Sequence, residues 1–143
     1  ILLNEIYKSK KLLLENNINP KVISMPWLNV FDKNWILKEL NNLHLIIVED
    51  HYVEGGFAEK ISLAISKLDT DIKIDVIALE EVPKSATNQE VIDYHGLSSE
   101  KIKEKILSLR EQILCLAIIL EKLTHYHVCT LLNTLDLVGI QIL

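Results

Sequence analysis

The stretch from Leu45 to Phe57 constrains the fold of this chain more than any other. The apolar run Leu45–Val48 predicts a strand over 44–48, and apolar residues at 57, 61, 64, 65 and 68 predict a helix over 55–68. The candidate site residues are Glu49, Asp50 and His51 directly after the strand and Gly55 and Gly56 at the start of the helix. Because open α/β sheets carry their sites at the carboxyl ends of strands, the sequence predicts an α/β fold with a candidate site in this loop.

Strands and helices alternate along the rest of the first hundred residues. We expect a helix over 1–16, a strand over 21–25, a helix over about 33–42 and a strand over 72–78. The predicted inner face of the first helix consists of Leu3, Ile6, Leu13 and Leu14. Such alternation predicts a three-layer α/β domain, a mainly parallel sheet with helices on both faces.

Local signals place several helix ends. Asp32 is expected to cap the helix over 33–42, and Thr87 with Glu90 forms a capping box for a helix over 88–94. Gly96 should stop that helix, and Ser98 or Ser99 should cap a long C-terminal helix. Its apolar residues fall at 102, 106, 109, 113, 116, 120 and 123. After it, the apolar tail predicts a strand over Leu137–Leu143.

Length, composition and net charge exclude several classes of function. A chain of 143 residues is one domain, and 49% hydrophobic residues with a mean hydropathy of +0.21 predict a buried partner face. The net charge of −5 without a basic stripe argues against nucleic acid. The longest apolar run, Ile113–Leu120, is far shorter than the roughly 20 residues of a membrane span. Cys115 and Cys129 favour two reduced thiols, hence a cytoplasmic location, with a disulfide as the alternative.

Four motifs in a fixed order resemble the C-terminal domain of transketolase. They are Met-Pro-Trp-Leu-Asn-Val-Phe-Asp at 25–32, Glu-Asp-His-Tyr-Val-Glu-Gly-Gly at 49–56, Pro-Lys-Ser at 83–85 and Tyr-His-Gly-Leu at 94–97. The resemblance covers about residues 1–107 and implies the mainly parallel, three-layer fold. In that family, other domains bind thiamine diphosphate and a divalent metal between subunits. The complete enzymes transfer a two-carbon ketol unit from a ketose phosphate to an aldose phosphate in the pentose phosphate pathway.

Two departures from the family pattern stand out. The family's domain opens with a strand and a Gly-Ser turn, and this chain begins in a helix, so its first strand is apparently missing and upstream sequence is expected. The family's domain usually ends shortly after the helix that follows the His-Gly-Leu motif, whereas this chain continues over 108–143, an apolar helical extension of unknown role.

The polar residues allow more than one chemistry. On an extended segment Glu49 and His51 share a face and form a candidate acid–base pair, whereas the structural alternative is that this loop caps the following helix. The bare N–H groups after Gly55 and Gly56 form a candidate anion or nucleotide site, unless Glu54 occupies it. The spacing of His125, His127 and Cys129 would suit zinc, but no fourth ligand is evident, so no metal site is predicted.

Two functions of different classes follow from these observations. The first is the C-terminal, non-catalytic, dimer-supporting or regulatory portion of a transketolase, with no catalytic or cofactor-binding residues of its own. Its partners would be the remaining transketolase domains or subunit and a second copy in a homo-oligomer. The alternative is a stand-alone interaction or nucleotide/anion-binding module that retains only the fold.

Overall fold

Among the described residues, four strands form one parallel sheet. The computed structural model describes residues 1–25, 32–40, 44–110 and 138–142. The strands are β1 (Lys21–Ser24), β2 (His44–Tyr52), β3 (Ile74–Leu79) and β4 (Val138–Ile142). The helices are α1 (Leu2–Leu14), α2 (Lys33–Leu40), α3 (Phe57–Ile65), α4 (Asn88–Tyr94) and α5, described over 99–110.

The spatial order of the strands is β1-β4-β2-β3, so β4 lies between two strands that precede it in the chain. Ile140 of β4 is the Cα partner of Val22 in β1 and of Ile46 in β2. Strands β2 and β3 pair in register from Leu45 to Val48, and the register shifts before Tyr52. The predicted mainly parallel sheet is therefore confirmed.

Helices cover both faces of the sheet, and β2 is therefore buried on both sides. Ile46 and Val48 pack in one cluster with apolar residues of α1 and α5, whereas Leu45 and Ile47 pack with α3. Alternate residues of a strand point to opposite faces, so these two clusters lie on opposite sides of the sheet. The predicted three-layer architecture is confirmed. The loop that follows β2 lies at the carboxyl end of the sheet.

The buried face of α1 differs from the predicted one. Leu2, Ile6 and Leu13 are buried, together with the polar residues Glu5 and Ser9. Leu3 and Leu14, which were predicted to lie inside, are 40% and 47% exposed. The buried face of α1 contains residues 2, 6, 9 and 13, at helical spacing. It was not predicted because two of its buried residues, an acid and a serine, are polar.

The predicted helix signals agree with the structure. Oδ1 of Asp32 accepts the backbone N–H of Asn34 at 2.9 Å, and Thr87 and Glu90 form the capping box of α4. Gly96 follows the end of α4 and has a φ of +72°. In α5, Ile102, Ile106 and Leu109 are all buried, as the apolar stripe predicted.

Other boundaries shift. Strand β2 runs on to Tyr52, four residues beyond its predicted end, and α3 begins at Phe57 instead of residue 55. The strand expected over Leu137–Leu143 is β4, Val138–Ile142. The remaining stripe of the C-terminal helix, His125, His127 and both cysteines fall outside the described residues. Within the described ranges, no helix is long and apolar enough to cross a bilayer.

Candidate functional site

The loop after β2 is held against α3 by the side chain of Glu49. This carboxylate is 2% exposed and accepts two backbone N–H groups, that of Phe57 at 2.8 Å and that of Ala58 at 3.2 Å. These groups belong to the first turn of α3, whose N–H groups have no partner within the helix. A carboxylate there also interacts favourably with the helix dipole. Glu49 is therefore the N-terminal cap of α3, which is the structural alternative given above for this loop, and Glu54 does not take that role.

The two glycines serve different purposes. Gly55 has a φ of +73°, a conformation that side chains disfavour, and its N–H donates to Oε2 of Glu59 at 2.7 Å. At Gly56 there is no space for a side chain, because a Cβ atom would clash with the carbonyl oxygen of Tyr52 and lie 2.6 Å from Oε1 of Glu49. Gly56 thus permits the close approach of the loop to the carboxylate.

Asp50 and His51 lie outside this buried arrangement. Both are exposed, and Nδ1 of His51 lies 3.0 Å from the carbonyl oxygen of Tyr52. The candidate acid–base pair therefore has one member, Glu49, inside the protein and the other, His51, at its surface. The register shift between Val48 and Tyr52 accompanies this change from buried to exposed side chains.

An anion at the start of α3 would compete with Glu49. The backbone N–H groups of Phe57 and Ala58 already donate to that carboxylate, which carries the same charge as the anion would. The geometry thus favours a structural role for the five predicted site residues, with Glu49 and Gly56 forming the buried part and Asp50 and His51 the surface.

Large apolar side chains are exposed at the same edge of the sheet. Tyr52 is the last residue of β2 and is 38% exposed, Val53 follows it and is 42% exposed, and Val82, three residues after β3, is 74% exposed. The carboxyl ends of parallel strands meet at one edge, so these residues share it.

Two polar clusters were missed by the sequence analysis. Glu5 of α1 is buried, and its Oε2 accepts the backbone N–H of Ser99 at 3.0 Å, which caps α5. Ser98 lies at the N-cap position of α5, since its carbonyl oxygen accepts the backbone N–H of Ile102 at 2.9 Å, while its hydroxyl donates to Asp93 and the hydroxyl of Ser99 donates to Glu100. A hydrogen bond from Lys8 at 2.7 Å is the main reason why the pKa of Glu5 lies below its usual value.

The second cluster lies at the opposite, amino end of the sheet. Nε2 of His44 lies 2.5 Å from Oδ2 of Asp75, and Nζ of Lys73 lies 3.3 Å from the same oxygen. Burial lowers the pKa of His44, and the neighbouring Asp75 carboxylate opposes that shift without cancelling it. No sequence signal joined His44 to Asp75, since their contact depends on the pairing of β2 with β3.

His95 is the C-terminal cap residue of α4, and its backbone N–H donates to the carbonyl oxygen of Val91 at 3.0 Å. Its Nε2 atom is buried and has no hydrogen-bond partner among the described residues. Across the described ranges, no three His, Cys, Asp or Glu side chains come together as metal ligands would.

Fold and loop together define an open α/β domain whose strand-end loop is closed by a helix-capping carboxylate. The chain belongs to the family described as Transketolase, C-terminal domain, whose sequence pattern matches residues 1–102. It is 33% identical over 92 residues to transketolase-like protein 1 of Macaca fascicularis, which covers 63% of this chain and 15% of that protein. The corresponding protein of Bos taurus is 31% identical over 104 residues, covering 71% of this chain and 17% of the relative.

Human transketolase is 27% identical over 111 residues, a match that covers 76% of this chain and 18% of the human protein. The chain thus spans less than a fifth of the length of the curated relatives that it matches. The matched part contains β1, β2 and β3, whereas β4 lies beyond it.

Proposed function

We propose that this chain is the C-terminal, non-catalytic portion of a transketolase, where it supports the dimer or regulates the enzyme. The complete enzyme would transfer two-carbon ketol units between sugar phosphates in the pentose phosphate pathway, in the cytoplasm. Thiamine diphosphate and its divalent metal would be held by the remaining domains. The observation that carries the proposal is the match of residues 1–102 to the C-terminal domain of this family.

The loop after β2 supports a structural role. Glu49 is the buried acid of the predicted site, and both its oxygens accept backbone N–H groups of α3. A carboxylate committed in this way fixes the backbone of the loop, and it is screened from a substrate because its exposure is 2%. This supports a loop that is shaped for contact, with Asp50 and His51 on its outer surface.

The exposed apolar residues at the same edge support a docking surface. Val53 and Val82 follow neighbouring strands and are 42% and 74% exposed. We infer that this carboxyl edge of the sheet contacts the remaining transketolase domains or subunit. The alternative, a stand-alone nucleotide- or anion-binding module, has less support, because Glu49 already occupies the N-terminus of α3.

The experiment is reconstitution of ketol transfer. The chain is purified alone and together with the thiamine-binding domains of transketolase from the same organism, supplied as a separate polypeptide. With thiamine diphosphate and Mg²⁺ present, we expect no transfer from ketose phosphate to aldose phosphate by the chain alone, and transfer by the mixture. Turnover by the chain alone would disprove a non-catalytic role, and a mixture without association or activity would disprove the assignment.

Surface variants locate the contact in the same assay. Val53→Ser and Val82→Ser should each weaken association about tenfold, which corresponds to roughly 1.4 kcal/mol of lost apolar contact. Leu63→Ser is the matched control, because Leu63 of α3 is 58% exposed but lies away from this edge. Equal effects of all three changes would mean that the carboxyl edge is not the docking surface.

A further inference from the structure

A cavity lies along the outer edge of β3. This strand is the last one of the described sheet, where it pairs with β2 alone. The cavity has a volume of about 510 Å³ and lies between β3, the turn that joins α4 to α5, and α5 itself. Its walls include Val76, Ile77 and Ala78 of β3 on one side and Lys101 and Lys105 of α5 on the other. We call this cavity the β3 groove.

The backbone of β3 presents hydrogen-bonding groups to the β3 groove. The N–H of Leu45 donates to the carbonyl oxygen of Lys73 at 2.8 Å, where the pairing of β2 with β3 begins. Alternate residues of a strand bond to the same neighbour, so residues 73, 75 and 77 face β2, and Val76 faces away from it. The N–H and C=O groups of Val76 have no partner among the described residues. By the same period of two, Ala78 lies on the outer edge as well.

The size of the β3 groove matches one short extended segment. A residue in a sheet takes about 3.3 Å along the strand, about 4.8 Å between strands and about 10 Å between layers, hence about 160 Å³. A volume of about 510 Å³ therefore holds roughly three residues, and three residues of β3 line it. A second copy that paired through its own β3 would also bring its own α5, and a helix is about 10 Å wide. The dimensions thus favour a single strand as the occupant.

Charged side chains of the lining indicate what such a strand carries. Lys101 and Glu104 pair with each other at 3.6 Å. Glu80 and Lys105 also line the β3 groove, and neither has a hydrogen bond or an ion pair within the described part of the chain. A segment with one basic and one acidic side chain would complement both groups.

We propose that the β3 groove binds an extended peptide segment of another protein, which joins the sheet as a strand beside β3. The backbone of the segment pairs with Val76 and Ala78. A basic side chain of the segment contacts Glu80, and an acidic one contacts Lys105. This interaction is independent of the proposed transketolase role, because it uses the outer edge of β3 and not the loop after β2.

Titration with two short peptides tests the binding. The probes are the acetylated and amidated pentapeptides Lys-Val-Thr-Val-Glu and Glu-Val-Thr-Val-Lys, which offer the two charges in both orders. Amide NMR signals of the isotope-labelled protein are followed up to about 5 mM peptide, a range that detects millimolar dissociation constants. We expect one peptide to shift the signals of Val76 and Ala78 more than that of Ile77, whose N–H faces β2. Unchanged signals with both peptides would disprove the proposal.

N-methylated peptides separate strand pairing from nonspecific contact. Successive N–H groups of a strand point to opposite sides, so methylation of the two valine nitrogens removes donors on one side, and methylation of the threonine nitrogen removes a donor on the other. We expect one methylated form of the binding peptide to keep its affinity and the other to bind roughly tenfold more weakly. Equal affinities of the two forms would show that no ladder forms, and the proposal would be rejected.

Charge reversal of Lys105 tests the side-chain contact. Lys105→Glu should weaken binding roughly tenfold, because it places a carboxylate beside the glutamate of the peptide, and a peptide with lysine in place of that glutamate should regain affinity. Lys103→Glu is the matched control, because Lys103 belongs to α5 but does not line the β3 groove. Equal losses in both variants would mean that the peptide does not contact Lys105, and the proposed site would be wrong.

Dilution of the protein without peptide distinguishes another protein from a second copy as the natural partner. The signals of Val76 and Ala78 should stay constant over a roughly tenfold dilution, since the groove is then unoccupied at every concentration. Signals that move with protein concentration would show that a second copy pairs with β3, and the proposal would be overturned.

Discussion

Gly56 is a position where the loop backbone and the Glu49 carboxylate leave no space for a side chain. A Cβ atom there would lie 2.6 and 2.9 Å from the two oxygens of Glu49 and would also meet the carbonyl oxygen of Tyr52. We predict that Gly56→Ala lowers the free energy of unfolding by about 3 kcal/mol, because the carboxylate must move away from the N–H groups that it caps. Urea unfolding followed by circular dichroism measures the change.

Gly55→Ala is the matched control for Gly56→Ala. A Cβ atom at Gly55 has nothing within 4 Å, so the cost is confined to its φ of +73° and should be about 1 kcal/mol. The expected order is therefore a larger loss at Gly56 than at Gly55. The reverse order would mean that backbone conformation, and not the approach of Glu49, accounts for the glycine pair.

At the scale of elements, α1 and α5 are joined by a hydrogen bond that spans most of the chain. Oε2 of Glu5 accepts the N–H of Ser99 at the start of α5, and the Glu5 side chain is buried. We predict that Glu5→Ala costs about 2 kcal/mol of stability, because the N–H of Ser99 loses its partner in a buried position. Hydrogen exchange should rise first at the N-terminal turn of α5.

Lys8→Ala isolates the contribution of the neighbouring ion pair. Its side chain is 51% exposed, so loss of the 2.7 Å contact with Glu5 should cost less than about 1 kcal/mol. Hydrogen exchange at Ser99 should be nearly unchanged in this variant. If Lys8→Ala destabilised α5 as much as Glu5→Ala, the ion pair and not the cap would hold the two helices together.

The elements whose signals are local could be predicted from the sequence. Asp32, the Thr87 box and Gly96 act on backbone groups within a few residues of themselves, so their spacing is sufficient evidence. The strand–loop–helix unit was likewise visible in its apolar pattern, with errors of a few residues at its ends. The error at the end of β2 arose because the strand continues through the polar residues after Val48 to Tyr52, which pairs with Leu79 of β3 beyond a register shift that the sequence does not indicate.

Long-range partners could not be predicted. Glu5 looked like an ordinary surface acid, and its burial depends on α5, which lies far along the chain. Within the site, the sequence pointed to Glu49, but not to its partners Phe57 and Ala58, because the distance across the loop depends on Gly56. The position of β4 between β1 and β2 follows from sheet pairing, which an apolar run does not specify.

At the scale of the whole molecule, the two ends of the sheet carry different chemistry. The carboxyl end has the capped loop and exposed apolar residues. The amino end has His44 beside Asp75 and Lys73, with the His44 side chain 13% exposed. Burial lowers the pKa of His44 against the opposing effect of Asp75, so the neutral imidazole is favoured in the folded protein.

This lowered pKa predicts how stability depends on pH. In the unfolded chain His44 titrates near 6.5, above its folded-state pKa, so between the two values the unfolded chain binds more protons. The free energy of unfolding should therefore fall as the pH drops through about 6.5, and level off below the folded-state pKa. Glu5, whose pKa is lowered from 4.5, contributes stability that is lost only at still lower pH. Urea unfolding at intervals between pH 7.5 and 5 measures the change.

His44→Gln tests whether this histidine causes the change, since an amide still donates to Asp75 but does not titrate. We expect the variant to lose most of the dependence between pH 7 and 5.5, whereas His51→Gln, at an exposed position, should retain it. If the His44→Gln variant showed the same pH dependence of unfolding as the natural chain, the prediction would be wrong. In that case the effect of the Asp75 carboxylate balances the cost of burial at His44, and another group causes the pH dependence.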